Sequence, residues 1–140
     1  MASRKRVGAW PMSTYIDADA FVRWERGAFD LLAWMEQHPE EAIAFPATVW
    51  QQLAFGVFAW EPERAAKRSR YLLLVGMVPV VPFLRVHAVR AARLAAELKL
   101  QQIGFADFQI AATAVEDNAE LLTFNREHFG RVPGLRLAPV

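Results

Sequence analysis

Three carboxylates stand where an α/β chain would keep its chemistry. Asp17 and Asp19 follow the strand-like start Ser13-Thr14-Tyr15-Ile16, and Asp107 heads a nearly all-apolar run from Ile103 to Val115. An open α/β sheet places its ligand site outside the carboxyl ends of its strands, which is the position of Asp17. A helix that is apolar all round is buried on most sides, so the start of the second run should open into a crevice. A carboxylate there could ligate a metal or move a proton. The competing reading for all three is helix capping, in which the carboxylate accepts first-turn N–H groups. Capping is the stronger reading for Asp19.

Two further groups have types that ask for a role. Val49, Gln52, Leu53 and Gly56 recur at i, i+3, i+4 and i+7, so Gln52 interrupts an apolar stripe. A buried amide without partners is costly, so Gln52 is expected to be hydrogen-bonded or functional. Arg64, Lys67 and Arg68 share one face of the next helix. They form either a solvated face beside Glu61 and Glu63 or a strip that contacts RNA phosphates.

These residues need elements to hold them. Short strands are expected at 13–16, 42–45 and 121–123, with a last one at 135–137; Pro79 and Pro82 restrict 78–83 to a short or edge strand. Between them lie helical patterns. The first runs from Ala20 to Met35, with Gly27 as a potential break, and Pro39 closes it. The second runs through 48–57 and a third opens at Glu61-Pro62-Glu63, with proline at N1 and acids on the positive end of the dipole. Two more span 84–101 and the run behind Asp107. Strands alternating with helices imply parallel β–α units.

Composition sets the outer limits. The chain has 140 residues, 54% hydrophobic and 22% charged, which fits one folded domain and argues against disorder. Net charge is +1, so no overall basic field announces nucleic acid. The absence of cysteine removes disulfides, thiolate zinc sites and cysteine nucleophiles. No apolar run approaches the roughly 20 residues of a membrane span. The basic start Met1-Ala2-Ser3-Arg4-Lys5-Arg6 leads into no apolar segment, so a secretory signal is not expected. Residues 1–12 are read as a basic N-terminal extension and 13–140 as a single domain. His38, His87 and His128 lack ligand spacing. No serine-hydrolase elbow, phosphate-binding P-loop or dinucleotide fingerprint is present.

The order of residues after 103 is more specific. Gly104, Asp107, Ile110-Ala111-Ala112 and Ala114 give G-x-x-D-x-x-I-A-A-x-A; Leu121-Leu122-Thr123, Asn125 and Phe129 give L-L-T-x-N-x-x-x-F; Val132-Pro133-Gly134-Leu135 follows. This series resembles the C-terminal half of a PIN domain, the fold of VapC-type toxin ribonucleases. The triplet Asp17-Ala18-Asp19 matches the D-T-N that usually ends the first strand of that family, and the resemblance extends over roughly 13–137.

It implies a three-layer α/β/α sandwich around a short, mostly parallel sheet. It further implies a metal-dependent endoribonuclease, the toxin of a type II toxin–antitoxin pair, using Mg²⁺ or Mn²⁺ in the cytoplasm. Asp17 and Asp107 would be metal ligands, and Asn125 would hold a metal-bound water or a second cation, or serve only in a turn. Thr123 would orient a phosphate or merely finish its strand. Gln52 occupies the place of a metal-site glutamate, which leaves a degenerate PIN domain that binds RNA or protein without cutting as the alternative. A small antitoxin and a homodimer or hetero-oligomer are the implied partners, with Trp50, Phe55, Phe58 and Trp60 serving those contacts or the core.

Overall fold

The computed structural model describes residues 13–99 and 103–140. The expected extension at 1–12 and the C-terminal end of the expected 84–101 helix lie outside these. In chain order the elements are β1 (Ser13–Ile16), α1 (Ala18–Glu25), α2 (Leu31–Gln37), β2 (Ala42–Pro46), α3 (Ala47–Ala59), α4 (Pro62–Leu74) and β3 (Val80–Val81). Then come α5 (Arg85–Leu98), α6 (Phe105–Glu116), β4 (Glu120–Leu122), α7 (Arg126–Phe129) and β5 (Arg136–Leu137).

All strand pairs are parallel, in the order β3-β2-β1-β4-β5. Every residue of β1 and β2 is buried. A parallel strand buried on both faces needs helices above and below it, so the α/β expectation holds as a covered central sheet. The chain builds outward from β1 through β2 to β3, then returns to place β4 on the other side of β1. That reversal makes a topological switch point between β1 and β4, where the connections leave in opposite directions and a crevice opens at the carboxyl ends.

Local sequence explains the breaks. The first helical pattern divides at Gly27, whose φ of 79° lies in the left-handed region that favours glycine. Asp30 then restarts the helix by accepting from Ala33 N–H at 3.0 Å. Glu61 caps α4 through the N–H groups of Glu63 and Arg64, with Pro62 following it as expected. Val80–Val81, flanked by prolines, pairs on one side only and forms the sheet edge. Residues 126–129, for which the sequence pattern gives no element, form the short helix α7.

The core runs along the three inner strands β2, β1 and β4: Tyr15, Ile16, Phe45, Leu121 and Leu122 are fully buried, with Phe21, Leu53, Phe108 and Ile110 from the helices. Helix α6 buries Phe108 and the whole stretch Ile110–Ala114. Its small residues let other elements approach closely, and its N-terminal turn is delivered to the switch point. No described helix is long and apolar enough to cross a membrane.

Candidate functional site

The site begins where β1 stops. Asp17 N–H donates to Leu122 O at 3.0 Å, carrying the β1–β4 pairing one residue past the strand. Asp17 is therefore fixed at the switch point, and it is 5% exposed. Its carboxylate caps α1, accepting from Ala18 N–H at 2.8 Å, and accepts the Thr123 hydroxyl at 2.8 Å. Thr123 follows β4 directly and is fully buried, so the two adjoining strand ends are tied through their first non-strand residues.

Asp19 does not cap. It reaches across to the end of β4, accepting from Phe124 N–H at 3.1 Å, with the Thr123 hydroxyl 3.3 Å away. The capping reading belongs to Asp17, because α1 starts immediately after it. Thr123 also accepts from Asn125 N–H at 3.0 Å, so one hydroxyl organises Asp17, Asp19 and the turn that carries Asn125. Asn125 starts α7 without a side-chain capping bond; its amide lies 3.1 Å from Nδ1 of His128.

Asp107 is not the cap of α6 either. Gly104 takes that position in extended conformation, and Asp107 lies in the first turn. There the helix dipole favours its charge. No hydrogen bond among the described residues occupies its carboxylate.

Electrostatics ties these groups together. Burial and then Asp19 push the Asp17 carboxyl up from 3.8 to about 7, against the pull of the Thr123 and Ala18 hydrogen bonds, and Asp107 adds to the rise. Burial also raises Asp107, with His128 opposing and Asp19 adding. Asp17, Asp19 and Asp107 thus sense one another as like charges. Sequence reasoning favours capping for Asp19 and the surface for His128, with an approach to the site from the loop after Asn125 as the alternative. The D-x-D spacing was the signal for the first, and the place of His128 just after Asn125 was the signal for the second.

Among the described residues no three His, Cys, Asp or Glu side chains are grouped closely enough to form a ready-made metal cage. The donor chemistry nevertheless suits a hard cation. Mg²⁺ keeps several waters and takes one or two carboxylates plus substrate phosphate oxygens. A buried carboxylate crowded by two others gains most from such a charge.

Two expectations change. Gln52 is exposed, not buried in an apolar stripe. Val49, Leu53 and Gly56 make the buried line of α3, and Gln52 sits beside it at the rim, so no amide is desolvated. Arg68 is 3% exposed and not available to phosphate. Its guanidinium clasps Glu25 with bonds of 2.7 and 2.9 Å, donates to Leu53 O at 2.9 Å and lies 4.4 Å from the Trp60 ring. Arg64 also stacks on Trp60, 3.6 Å from the ring centre. Gly56 makes room for the Trp60 ring, which a Cβ there would meet at 2.8 Å. Arg64 and Lys67 remain exposed and line, with Arg26 and Gln52, a groove of about 470 Å³ that reaches Ala18 beside Asp17. Of the four aromatics assigned to contacts, Trp50 packs edge-on against Phe45, whereas Phe55 and Phe58 are exposed.

A sequence model of the PIN domain matches residues 14–135. The chain belongs to the PIN-domain family. It is 31% identical over 135 residues to Ribonuclease VapC1 of Rickettsia felis, covering 92% of this chain and 97% of that protein. Among solved structures it is similar to a chain of VapBC2 from Rickettsia felis bound to a promoter DNA fragment, with a TM-score of 0.76 and 23% identity over 91% of this chain and 98% of the other. A chain of VapBC-1 from nontypeable Haemophilus influenzae gives the same TM-score and identity, covering 91% and 97%. At this identity the structural likeness carries the fold, and the PIN-domain sandwich expected from the sequence is the one observed.

Proposed function

We propose that the chain is a Mg²⁺- or Mn²⁺-dependent endoribonuclease, the toxin of a type II toxin–antitoxin pair. The observation that carries this reading is the mutually repelling set Asp17, Asp19 and Asp107 at the switch point of a PIN-domain sheet. Its family and its likeness to a protein named a ribonuclease support the substrate. The likeness to chains of VapBC complexes supports a small antitoxin partner, and a homodimer or hetero-oligomer belongs to the same reading. Exposed Phe58, at 86%, is available for such a contact. Residues 13–140 would act as one domain, with 1–12 a basic extension, in the cytoplasm.

In this mechanism Asp17 and Asp107 hold the divalent ion. When bound, the ion supplies an activated water nucleophile and stabilises charge developing on the phosphate. Thr123 holds the Asp17 carboxylate in a fixed orientation, and Asp19 fixes the Thr123–Phe124 turn behind it. Asn125 offers its amide at the rim for a water or phosphate oxygen. Arg64 and Lys67 lead the RNA backbone along the groove to Asp17 by charge attraction that salt should weaken.

Gln52 favours a second reading, a PIN domain that binds RNA or protein without cutting, since an amide offers a cation one oxygen and no charge. The deciding experiment is Mn²⁺-dependent cleavage of a structured RNA pool by this chain, Gln52→Glu and Asp107→Asn. Cleavage by this chain that Asp107→Asn abolishes means glutamine is tolerated. Cleavage by Gln52→Glu alone means a ribonuclease site lacking one ligand. Silence from both this chain and Gln52→Glu would sink the catalytic reading.

A further inference from the structure

Beside the acidic centre, and adjoining the basic groove at Gln52, α3 and α6 line a second hollow of about 530 Å³. That lies within the roughly 300–1,000 Å³ of small-ligand sites. Its wall is formed by Thr48, Gln51, Gln52 and Phe55 at i, i+3, i+4 and i+7 of α3, and by Phe105, Ala106 and Gln109 of α6. Two phenylalanines stand open to solvent here, Phe55 at 65% and Phe105 at 73%. Between them are three carboxamides and one hydroxyl, with no formal charge on any lining residue. The Thr48 hydroxyl donates to Gln109 Oε1 at 3.1 Å, which leaves the Gln109 amino group to face a ligand. Among the described residues no hydrogen bond occupies the carboxamide of Gln51 or Gln52.

This composition is selective. Without a cation in the wall the hollow does not suit phosphate, and without a carboxylate it does not suit a metal. An apolar partner helix would strip water from three amides and give nothing back. A planar heterocycle with polar edges satisfies both halves: its face stacks on phenylalanine and its edge pairs with amides. Glutamine matches adenine in particular, accepting from N6 while donating to N7. Gln52 belongs to both hollows and Ala106 directly precedes Asp107, so a strand whose phosphates follow Arg64 and Lys67 would reach the acidic centre with a base turned this way.

We infer that the α3–α6 hollow is a base-binding subsite for an unpaired purine, adenine first, next to the cleaved bond. This deepens the ribonuclease reading and rests on it. Proteins that read single-stranded RNA commonly splay bases out onto aromatic side chains and pair their edges.

The test is equilibrium binding, by fluorescence anisotropy in Ca²⁺, of short oligouridylate RNAs. Each carries one adenosine, walked along the strand, and is compared with the same strand bearing an abasic residue there. At one place this chain should prefer adenosine by about tenfold, the size of one base stack. Phe105→Ala and Gln51→Ala should erase that preference, with affinity for the abasic strand and melting temperature unchanged. RNA binding that is equal for adenosine and abasic strands at every place overturns the subsite and leaves the nuclease reading intact. Conversion of a dimer to a monomer by Phe105→Ala, read by light scattering, overturns it too, because a second copy then covers the face. A chain that neither binds nor cuts RNA, even as Gln52→Glu, loses the subsite together with the nuclease reading.

Discussion

Helix α1 has buried charge at both ends, and the two ends are built on opposite plans. At its C-terminal end Glu25 meets Arg68 in a two-bond clasp, with a backbone carbonyl and an aromatic face taking the rest of the guanidinium. At its N-terminal end Asp17 is as deeply buried but faces Asp19 and Asp107, carboxylates that raise its pKa. Neutralised charge ties elements together: this pair joins α1 to α4 and α3. Like charge kept together inside a protein works against folding unless something binds there. The difference separates structure from chemistry along one short helix.

The largest effect should come from unbalancing the paired end. Arg68→Met leaves Glu25 buried without its partner, and breaking a buried pair in this way costs about 3–5 kcal/mol. Glu25→Gln in the Arg68→Met background should recover a good part of that loss. Urea unfolding of the single and double variants measures both. A loss below about 1 kcal/mol from Arg68→Met would mean that the pair does not hold these helices together.

The unpaired end should respond with the opposite sign. Asp17 has a folded pKa of about 7 against an ordinary 3.8, so between these values the folded chain keeps a proton that the unfolded chain releases. The stability from this group is complete below 3.8 and is lost as pH rises through 7. Asp17→Asn still caps α1 but cannot ionise. In metal-free buffer at pH 8 it should stabilise the protein by on the order of 2 kcal/mol and flatten the fall in melting temperature between pH 4 and 7. Mg²⁺ should raise the melting temperature of the unaltered chain more at pH 8 than at pH 6, because binding must displace that proton. A destabilised Asp17→Asn, or a Mg²⁺ effect independent of pH, would break the contrast between the two ends.

The paired end could not be read in the sequence, and the acidic end could. Asp17 and Asp107 were visible because each follows or heads an apolar element whose period is unambiguous. Pro62 at N1, Gly27 at the break and the prolines around Val80 announced their elements by conformational preference alone. Arg68 looked like its neighbours Arg64 and Lys67, because i, i+3 and i+4 spacing gives a common face without saying what lies beneath it. Its partner Glu25 is on another helix, and only tertiary packing brings the two together. Asp19 was misjudged for a related reason: capping is a local option, and the amide it found instead belongs to Phe124, at the end of the neighbouring strand but 105 residues away in the chain. His128 acts on Asp107 only through the placement of α7, a helix of four residues too short for its pattern to register.

Gln52 offers the finest test of the contrast, since it sits at the rim of the acidic end without belonging to either plan. Helical spacing put it on the apolar stripe, but one position off the Val49–Leu53–Gly56 line is enough to reach solvent. Gln52→Glu therefore buries no charge, and its effect on metal-free stability should stay within about 0.5 kcal/mol. Its effect on a cation should be larger, because a carboxylate beside an already acidic crevice adds both a donor and a charge. Mn²⁺ affinity by isothermal titration should rise about tenfold, equivalent to about 1.4 kcal/mol. A substantial loss of metal-free stability would mean that the new charge is felt by Asp17 and Asp107, extending the repelling set to α3. Unchanged Mn²⁺ affinity would mean that position 52 stands outside the metal's reach, leaving its place in the wall of the α3–α6 hollow as its role.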